Sequence, residues 1–183
     1  MAVFVIFGLL PIFISGSLFT VSAARLVAVE RLFDLSFSQG PAVTDDGWWR
    51  AVATIRLGDA RDDFEVGLEW WGRTAYEQQW LGAAKRLVAG ADRVMFLVSY
   101  NGPDAAFHFA WSAWREGNRV HVQNYLVLTE DLPTPFDPDD ADRFAGERQT
   151  VSEDGEPISE WHVRLADVQA FVERRSAERT PTA

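Results

Sequence analysis

The pattern of apolar and polar residues predicts a strand, a helix and a second strand in the middle of the chain. Residues 49–57 alternate between apolar and polar side chains, which is typical of a strand with one buried face. Between residues 76 and 88, apolar side chains recur every three or four positions, which predicts a helix with one apolar stripe, and Gly90 is suited to end it. Residues 93–100 are almost continuously apolar, which favours a central strand.

Three further strands and a second helix are predicted in the C-terminal half. The runs 107–114 and 120–128 have strand character, and the short turn between them would make a hairpin. A third strand is predicted at 158–163, and a helix follows at 165–175 with arginines near its end, where the helix dipole favours positive charge. This order of elements predicts a single α+β domain in which an antiparallel β-sheet has helices packed on one face.

The first 45 residues differ in composition from the rest. Residues 1–24 contain no charged side chain and are long enough to cross a bilayer as a helix. The sequence leaves three explanations open: a membrane anchor, a secretory signal peptide, or a translation start that lies further downstream. Residues 34–47 are polar with Gly and Pro, which is typical of a linker. We therefore predict a hydrophobic segment with a linker at 1–45 and an α+β domain at 46–183.

The chain carries a strong excess of negative charge. It has 27 acidic and 17 basic residues and a net charge of −10, which disfavours nucleic acid or an anionic membrane as a direct partner. The excess is concentrated in residues 130–160, called here the acidic segment, where eleven acids are opposed only by Arg143 and Arg148. Such a segment is either a solvated loop or an electrostatic surface for a basic partner.

Candidate catalytic or metal-binding groups are few. The chain has no cysteine, so disulfides, thiolate metal sites and a Cys nucleophile are excluded. Neither a phosphate-binding glycine pattern nor a Gly-x-Ser-x-Gly elbow is present. Paired carboxylates, Asp62 with Asp63 or Asp137 with Asp139, could hold a hard cation. The spacing at 137–140 is not that of a calcium loop, because Pro138 interrupts it, and neither a metal nor a cofactor is predicted.

The three histidines provide an alternative to a pure binding function. Glu160 and His162 would lie on the same face of a strand and could act as general acid and base. His108 and His121 alternate with apolar neighbours and are expected to point towards solvent or a second layer. A small carboxylate- and His-dependent hydrolase, with or without a metal, is therefore the second hypothesis.

Five short motifs together resemble the immunity proteins of bacterial contact-dependent growth inhibition. The resemblance extends over about residues 49–175 and leaves the hydrophobic start outside it. The motifs, in chain order, are IRLGDARDDFEVGLEWW (55–71), TAYEQQWLGAAKRLV (74–88), VHVQN (120–124), FDP (136–138) and TVSEDGEPISEW (150–161).

The resemblance implies a cytoplasmic, non-catalytic inhibitor without a cofactor. Proteins of this family bind the C-terminal toxin domain of a large exported adhesin, and such toxins are frequently nucleases. A membrane would be involved only if residues 1–24 are a genuine anchor, in which case Arg25 and Arg31 would keep the rest of the chain in the cytoplasm.

The implied function agrees with the charge of the chain. A nuclease presents a cationic cleft to its phosphate substrate, so an acidic inhibitor can fill that cleft and associate rapidly. The candidate contact residues lie in the acidic loop (Asp137, Asp139, Asp140, Asp142), in the following hairpin (Glu153, Asp154, Glu156), and among neighbouring polar and aromatic residues (Glu160, His162, Trp70, Trp71).

Overall fold

The structure, a computed structural model, describes residues 32–43 and 47–179, and this part contains eight strands and two α-helices. The strands are β1 (Phe33–Phe37), β2 (Ala42–Val43), β3 (Trp49–Leu57), β4 (Ala60–Gly67), β5 (Arg93–Ser99), β6 (Phe107–Glu116), β7 (Arg119–Leu128) and β8 (Trp161–Arg164). The α-helices are α1 (Arg73–Ala89) and α2 (Leu165–Glu178), and two 3₁₀ segments lie between β7 and β8 (Thr129–Asp131 and Pro138–Phe144). The predicted α+β class with antiparallel strands is confirmed.

The strands are divided between two four-stranded sheets. In the first sheet, β3 is central, with β4 along one side and β1 and β2 along the other. The second sheet has the order β5-β6-β7-β8. α1 packs against β5 and against α2, while α2 contacts β1 and β8, so the helices connect the two sheets.

Residues 34–47, predicted to be a linker, instead contribute β1 and β2 to the first sheet. β1 pairs with the C-terminal half of β3. Phe33 is almost fully buried, and its ring packs edge-on against Phe171 of α2 with centroids 5.3 Å apart. Asp34, the next residue of β1, is mostly buried and is held by Arg174 of α2 at 2.6 Å. The linker prediction was wrong here because apolar and polar residues alternate within this short strand. The residues that they contact lie far away in the chain.

The predicted first helix is confirmed as α1. Its apolar stripe faces the core, and Gly90 ends the helix in the left-handed conformation with φ 119°. The buried residues of the helix are Tyr76, Trp80, Leu81, Ala83, Ala84 and Leu87.

β5 is an edge strand whose backbone groups are hydrogen-bonded by side chains instead of a further strand. Gln79 of α1 donates to the carbonyl of Met95 at 2.7 Å and accepts from the amide of Leu97 at 3.1 Å. The indole of Trp80 donates to the carbonyl of Leu97 at 2.7 Å. Asp142 accepts from the amide of Met95 at 3.0 Å. Because an unpaired backbone group in this buried strand would be costly, these contacts fix both α1 and the acidic segment against the sheet.

The hydrophobic residues 1–24 lie outside the described residues, so the three explanations for them remain predictions. Within residues 32–43 and 47–179, no helix is both long and apolar enough to cross a membrane.

Replacing Phe33 tests whether β1 is part of the core. We expect Phe33→Ala to lower the free energy of unfolding by about 4 kcal/mol, because it leaves a cavity between the first sheet and α2. Urea denaturation would measure this loss. The control is Val43→Ala on exposed β2, which should change stability by less than about 0.5 kcal/mol. Equal stabilities for both variants would contradict a structural role for β1.

Candidate partner-binding site

The acidic segment crosses one face of the second sheet from β5 to β8. It is attached to β5 through Asp142, as described above. Further along, the carbonyl of Gly146 accepts from the indole of Trp114 on β6 at 2.9 Å. The carbonyl of Gln149 then accepts from the side chain of Gln123 on β7 at 2.7 Å. The segment is therefore a covering layer with defined attachment points, and its acids project from a fixed backbone.

His108 is buried beneath this layer. Of the two environments expected from the sequence, solvent and a second layer, the second layer is therefore correct. Its ring lies 4.2 Å from that of Phe136, centroid to centroid, and 5.2 Å from that of Tyr100. Nδ1 accepts a hydrogen bond from the amide of Asn101 at 3.2 Å. Burial lowers the pKa of His108, which keeps the imidazole neutral at physiological pH.

Glu160 is the most strongly held acid of the segment. Arg148 binds both of its carboxylate oxygens at 2.7 Å, and His121 and Gln123 each contact it at 2.9 Å. The hydrogen bonds from Arg148, followed by those from His121 and Gln123, lower the pKa of Glu160 from 4.5 to about 2. Glu160 is therefore ionised and already bonded at neutral pH.

The histidine bonded to Glu160 is His121, and not His162, the partner expected from the sequence. His121 is buried on β7, with Nδ1 2.9 Å from Glu160 and Nε2 3.0 Å from Glu116. His162 is exposed on β8 directly opposite His121, with ring centroids 6.2 Å apart. The strand predicted at 158–163 begins only at Trp161 in the structure, so Glu160 precedes β8. The sequence also could not reveal the closer histidine, which lies on the neighbouring strand β7.

Asp142 is also engaged inside the protein. Its carboxylate accepts from Arg86 of α1 at 2.5 and 3.0 Å as well as from the backbone of β5. Asp137 accepts from the amide of Asp139 at 3.0 Å and so caps the second 3₁₀ segment. Asp140 makes a loose contact with Arg143 at 3.7 Å. These three acids have structural partners, and Asp142 is the most firmly bound of them.

Four candidate acids have exposed carboxylates that are not used internally. Within residues 32–43 and 47–179, their side chains make no hydrogen bond or ion pair. They are Asp139 in the second 3₁₀ segment and Glu153, Asp154 and Glu156 in the hairpin that is closed by the bridge between Val151 and Pro157. Gly155, at φ 83°, makes the tight turn of this hairpin possible.

The two groups of exposed acids lie at opposite edges of the second sheet. The second 3₁₀ segment contacts β5, whereas the hairpin leads directly into β8. Three strand spacings separate these edges, which corresponds to about 14 Å. A single partner that contacts both groups must therefore present positive charge at two places about this far apart.

Trp70 and Trp71 have different environments although they are neighbours in the chain. Trp71 is half-buried, with its ring centroid 5.3 Å from those of both Tyr76 and Tyr100. Trp70 is 58% exposed, and its indole lies directly over the backbone of Gly102, where no Cβ could be accommodated. Trp71 is therefore mainly structural, whereas Trp70 is available to a partner.

Tyr100 links Trp71 to the acidic segment, because its ring also packs against that of Phe136 with centroids 6.3 Å apart. Burial raises the pKa of Tyr100, and the negative charges of Asp137, Asp104 and Asp139 raise it further. Tyr100 directly follows the edge strand β5, and Asp104, which contributes to this shift, was not among the candidates from the sequence.

An apolar surface beside this edge was also missed at the sequence level. Phe107, Phe109, Leu126 and Leu128 are exposed although they lie on adjacent strands. The available signal was the placement of Phe107 and Phe109 on one side of a predicted strand, but that pattern does not show whether the side is covered.

The described residues offer little basis for a metal site. Within residues 32–43 and 47–179, no group of three or more His, Cys, Asp or Glu side chains could hold a metal ion. The carboxylate of Asp63, considered with Asp62 as a cation site, accepts hydrogen bonds from Thr54 and Arg61. Both bonds lower the pKa of Asp63, and the bond from Thr54 has the larger effect.

Comparisons with known proteins show a consistent family. The family model for the CdiI N-terminal domain matches residues 66–171. The chain is 29% identical over 136 residues to Immunity protein CdiI of Enterobacter cloacae subsp. cloacae, a match that covers 74% of this chain and 93% of that protein. It also superimposes on a chain of the CdiA-CT/CdiI toxin and immunity complex from Enterobacter cloacae with a TM-score of 0.72 and 25% identity, covering 79% of this chain and 99% of the other.

Replacing Glu160 tests the internal role of this acid. Its lowered pKa means that Glu160 stabilises the fold fully above its ordinary pKa of 4.5, and that this contribution is lost as the pH falls towards about 2. We expect Glu160→Gln to lower the free energy of unfolding by about 2 kcal/mol at pH 7 and to weaken the pH dependence between those values.

Urea denaturation at pH 7 and pH 3 would measure both effects. Glu153→Gln is the matched control, since Glu153 is exposed at the hairpin tip and should contribute less than about 0.5 kcal/mol. The same stability for Glu160→Gln and wild type would refute a structural role for Glu160.

Proposed function

The chain belongs to the family of CdiI immunity proteins, and we propose that it binds and neutralises the C-terminal toxin domain of a cognate contact-dependent growth inhibition protein. The related Enterobacter cloacae structure is a complex of toxin and immunity protein, which supports a partner of this kind. The proposed place of action is the cytoplasm of the producing cell.

The observation that carries the mechanism is the set of exposed carboxylates on the acidic segment that have no partner within the described residues. Asp139 and the hairpin acids Glu153, Asp154 and Glu156 lose no internal bond when they meet a partner. Their charges attract a cationic surface from a distance and can form charge-assisted hydrogen bonds with it on contact. We therefore infer that the toxin has a basic active-site cleft, as a nuclease does, and that the acidic segment occludes it.

The internally bonded acids would support this surface from behind. Asp142 holds the second 3₁₀ segment to α1 and β5, and Glu160 holds the base of the hairpin through Arg148. Both were candidate contacts from their sequence position. We propose that their main contribution is to fix the positions of the exposed acids, because an acid that must break an internal ion pair gains little by binding another cation.

A non-catalytic role agrees with the state of the titratable groups. A carboxylate with a pKa of about 2, such as that of Glu160, is a weak base and is not protonated at neutral pH, so it is poorly suited to general acid–base catalysis. His108 is buried among aromatic rings. These features favour inhibition by binding over the hydrolase hypothesis.

Co-expression with the toxin tests the function, and charge reversal tests the mechanism. Wild type should protect cells from the cognate toxin domain and form a stable complex with it. We expect Asp139→Lys combined with Glu153→Lys to slow association at low salt at least about tenfold and to reduce its salt dependence, because both positions lose electrostatic attraction. Stopped-flow mixing with purified toxin domain would measure the rates.

The control has the same change in net charge at remote positions, Asp59→Lys in the turn between β3 and β4 combined with Glu173→Lys on α2. Both residues are exposed. An equal loss of rate in the control would show that total charge, and not the acidic segment, governs association.

A further inference from the structure

An exposed apolar surface runs across the end of β6 and β7. Phe107 lies opposite Leu128 and Phe109 lies opposite Leu126, so the four side chains form two cross-strand pairs on one face of the second sheet. Each is 40–47% exposed, and the two phenyl rings pack edge to face with centroids 5.3 Å apart. These four residues are called here the apolar face.

The apolar face is a continuation of the core. Further along the same side of β6, Trp111 and Ala113 are buried in the core that also contains Ile55 and Leu57 of the first sheet. At Phe107 and Phe109 an open groove, lined also by Arg50 of β3 and Glu65 of β4, separates them from the first sheet and leaves them partly exposed to water. Contiguous exposed apolar groups of this size in a soluble domain mark an interaction site more often than scattered single ones do.

An open groove of about 480 Å³ adjoins the apolar face. Phe107 and Phe109 form one side, and the exposed indole of Trp70, seated on Gly102, forms another. Gly102 adopts φ 97°, and a side chain there would collide with the indole, so the glycine allows Trp70 to lie in this position. The groove thus has preformed aromatic walls.

Acidic residues surround the apolar face and the groove. Glu69 lines the groove, together with Glu65, which is paired with Arg50 at 2.7 Å. Asp104 precedes the groove residues Ala105 and Ala106. The first 3₁₀ segment is attached here, because the amide of Thr129 donates to the carbonyl of Ala106 at 3.0 Å. That short segment also carries the exposed Glu130 and Asp131.

We propose that the apolar face and its groove form the anchor for the cognate toxin domain, receiving an apolar side chain carried on a basic segment of the toxin. The inference rests on the proposed function and adds a second contact region to the acidic segment. An apolar centre with a polar rim is the usual anatomy of a binding hot spot. The acidic rim selects a basic partner and disfavours a second copy of this chain, which would bring like charges together.

The anchor and the acidic segment lie on opposite faces of the second sheet and approach each other at Tyr100, directly after the edge strand β5. Tyr100 lies between the groove residues Ser99 and Asn101, and its ring packs against that of Phe136 in the acidic segment, with centroids 6.3 Å apart. One toxin molecule that reaches around this edge can therefore contact the groove and the neighbouring second 3₁₀ segment. The acids govern the rate of association and its salt dependence, whereas the apolar face governs the rate of dissociation.

Replacing Phe109 and Leu126 by alanine in the full chain separates these two contributions. We expect each replacement alone to raise the dissociation rate of the complex with purified toxin domain about tenfold, and the pair to raise it about a hundredfold. The association rate and its salt dependence should stay as in wild type. Surface plasmon resonance at two salt concentrations would give both rates.

Val43→Ala is the matched control, because Val43 is 56% exposed on β2 and does not line the groove. It should leave the dissociation rate unchanged, and urea denaturation should show that all variants remain folded.

Two results would overturn the proposal: wild-type dissociation rates for Phe109→Ala with Leu126→Ala, or a wild-type dimer in sedimentation that this double variant converts to a monomer. A wild-type protein that does not bind the toxin domain would refute the proposed function itself, which is a separate outcome.

Discussion

The hydrogen bonding of β5 is the constraint on which the rest of the structure depends. This strand is the edge of the second sheet, yet its side chains from Val94 to Val98 are buried. Its outward backbone groups therefore need partners other than water, and Gln79, Trp80 and Asp142 provide them. One edge thus orients α1 and also attaches the acidic segment. The attachment also protects the edge from pairing with another chain.

Fixing the acidic segment at several points divides its carboxylates into two groups. Asp142 and Glu160 are bonded to arginines and hold the backbone in place. The acids at the hairpin tip and Asp139 remain exposed, and their charges are uncompensated locally. An acidic surface of this kind is pre-organised, so a partner does not have to order it on binding, which reduces the entropic cost of association. Net charge alone would not distinguish this arrangement from a solvated loop.

The apolar face and the acidic rim have complementary physical roles. Burial of Phe107, Phe109, Leu126 and Leu128 would provide short-range affinity, because the hydrophobic effect acts only on contact. Carboxylates act over a Debye length and so influence the approach of a partner. A protein that must neutralise a toxin before it damages the cell benefits from both fast association and slow dissociation.

Local periodicity in the sequence determined the α+β class, α1, the long strands β5 to β7, and the concentration of negative charge, because these features depend on neighbouring residues. The five motifs also indicated the correct family. β1 was missed because its pairing with β3 joins segments about twenty residues apart. The alternation around His108 and His121 predicted which face of its strand each histidine occupies. It did not predict that other parts of the chain would cover both histidines. Tertiary structure alone decided which acids are bonded internally. Arg86 is far from Asp142 in the chain, and only folding brings them together. The same folding leaves other acids exposed to a partner.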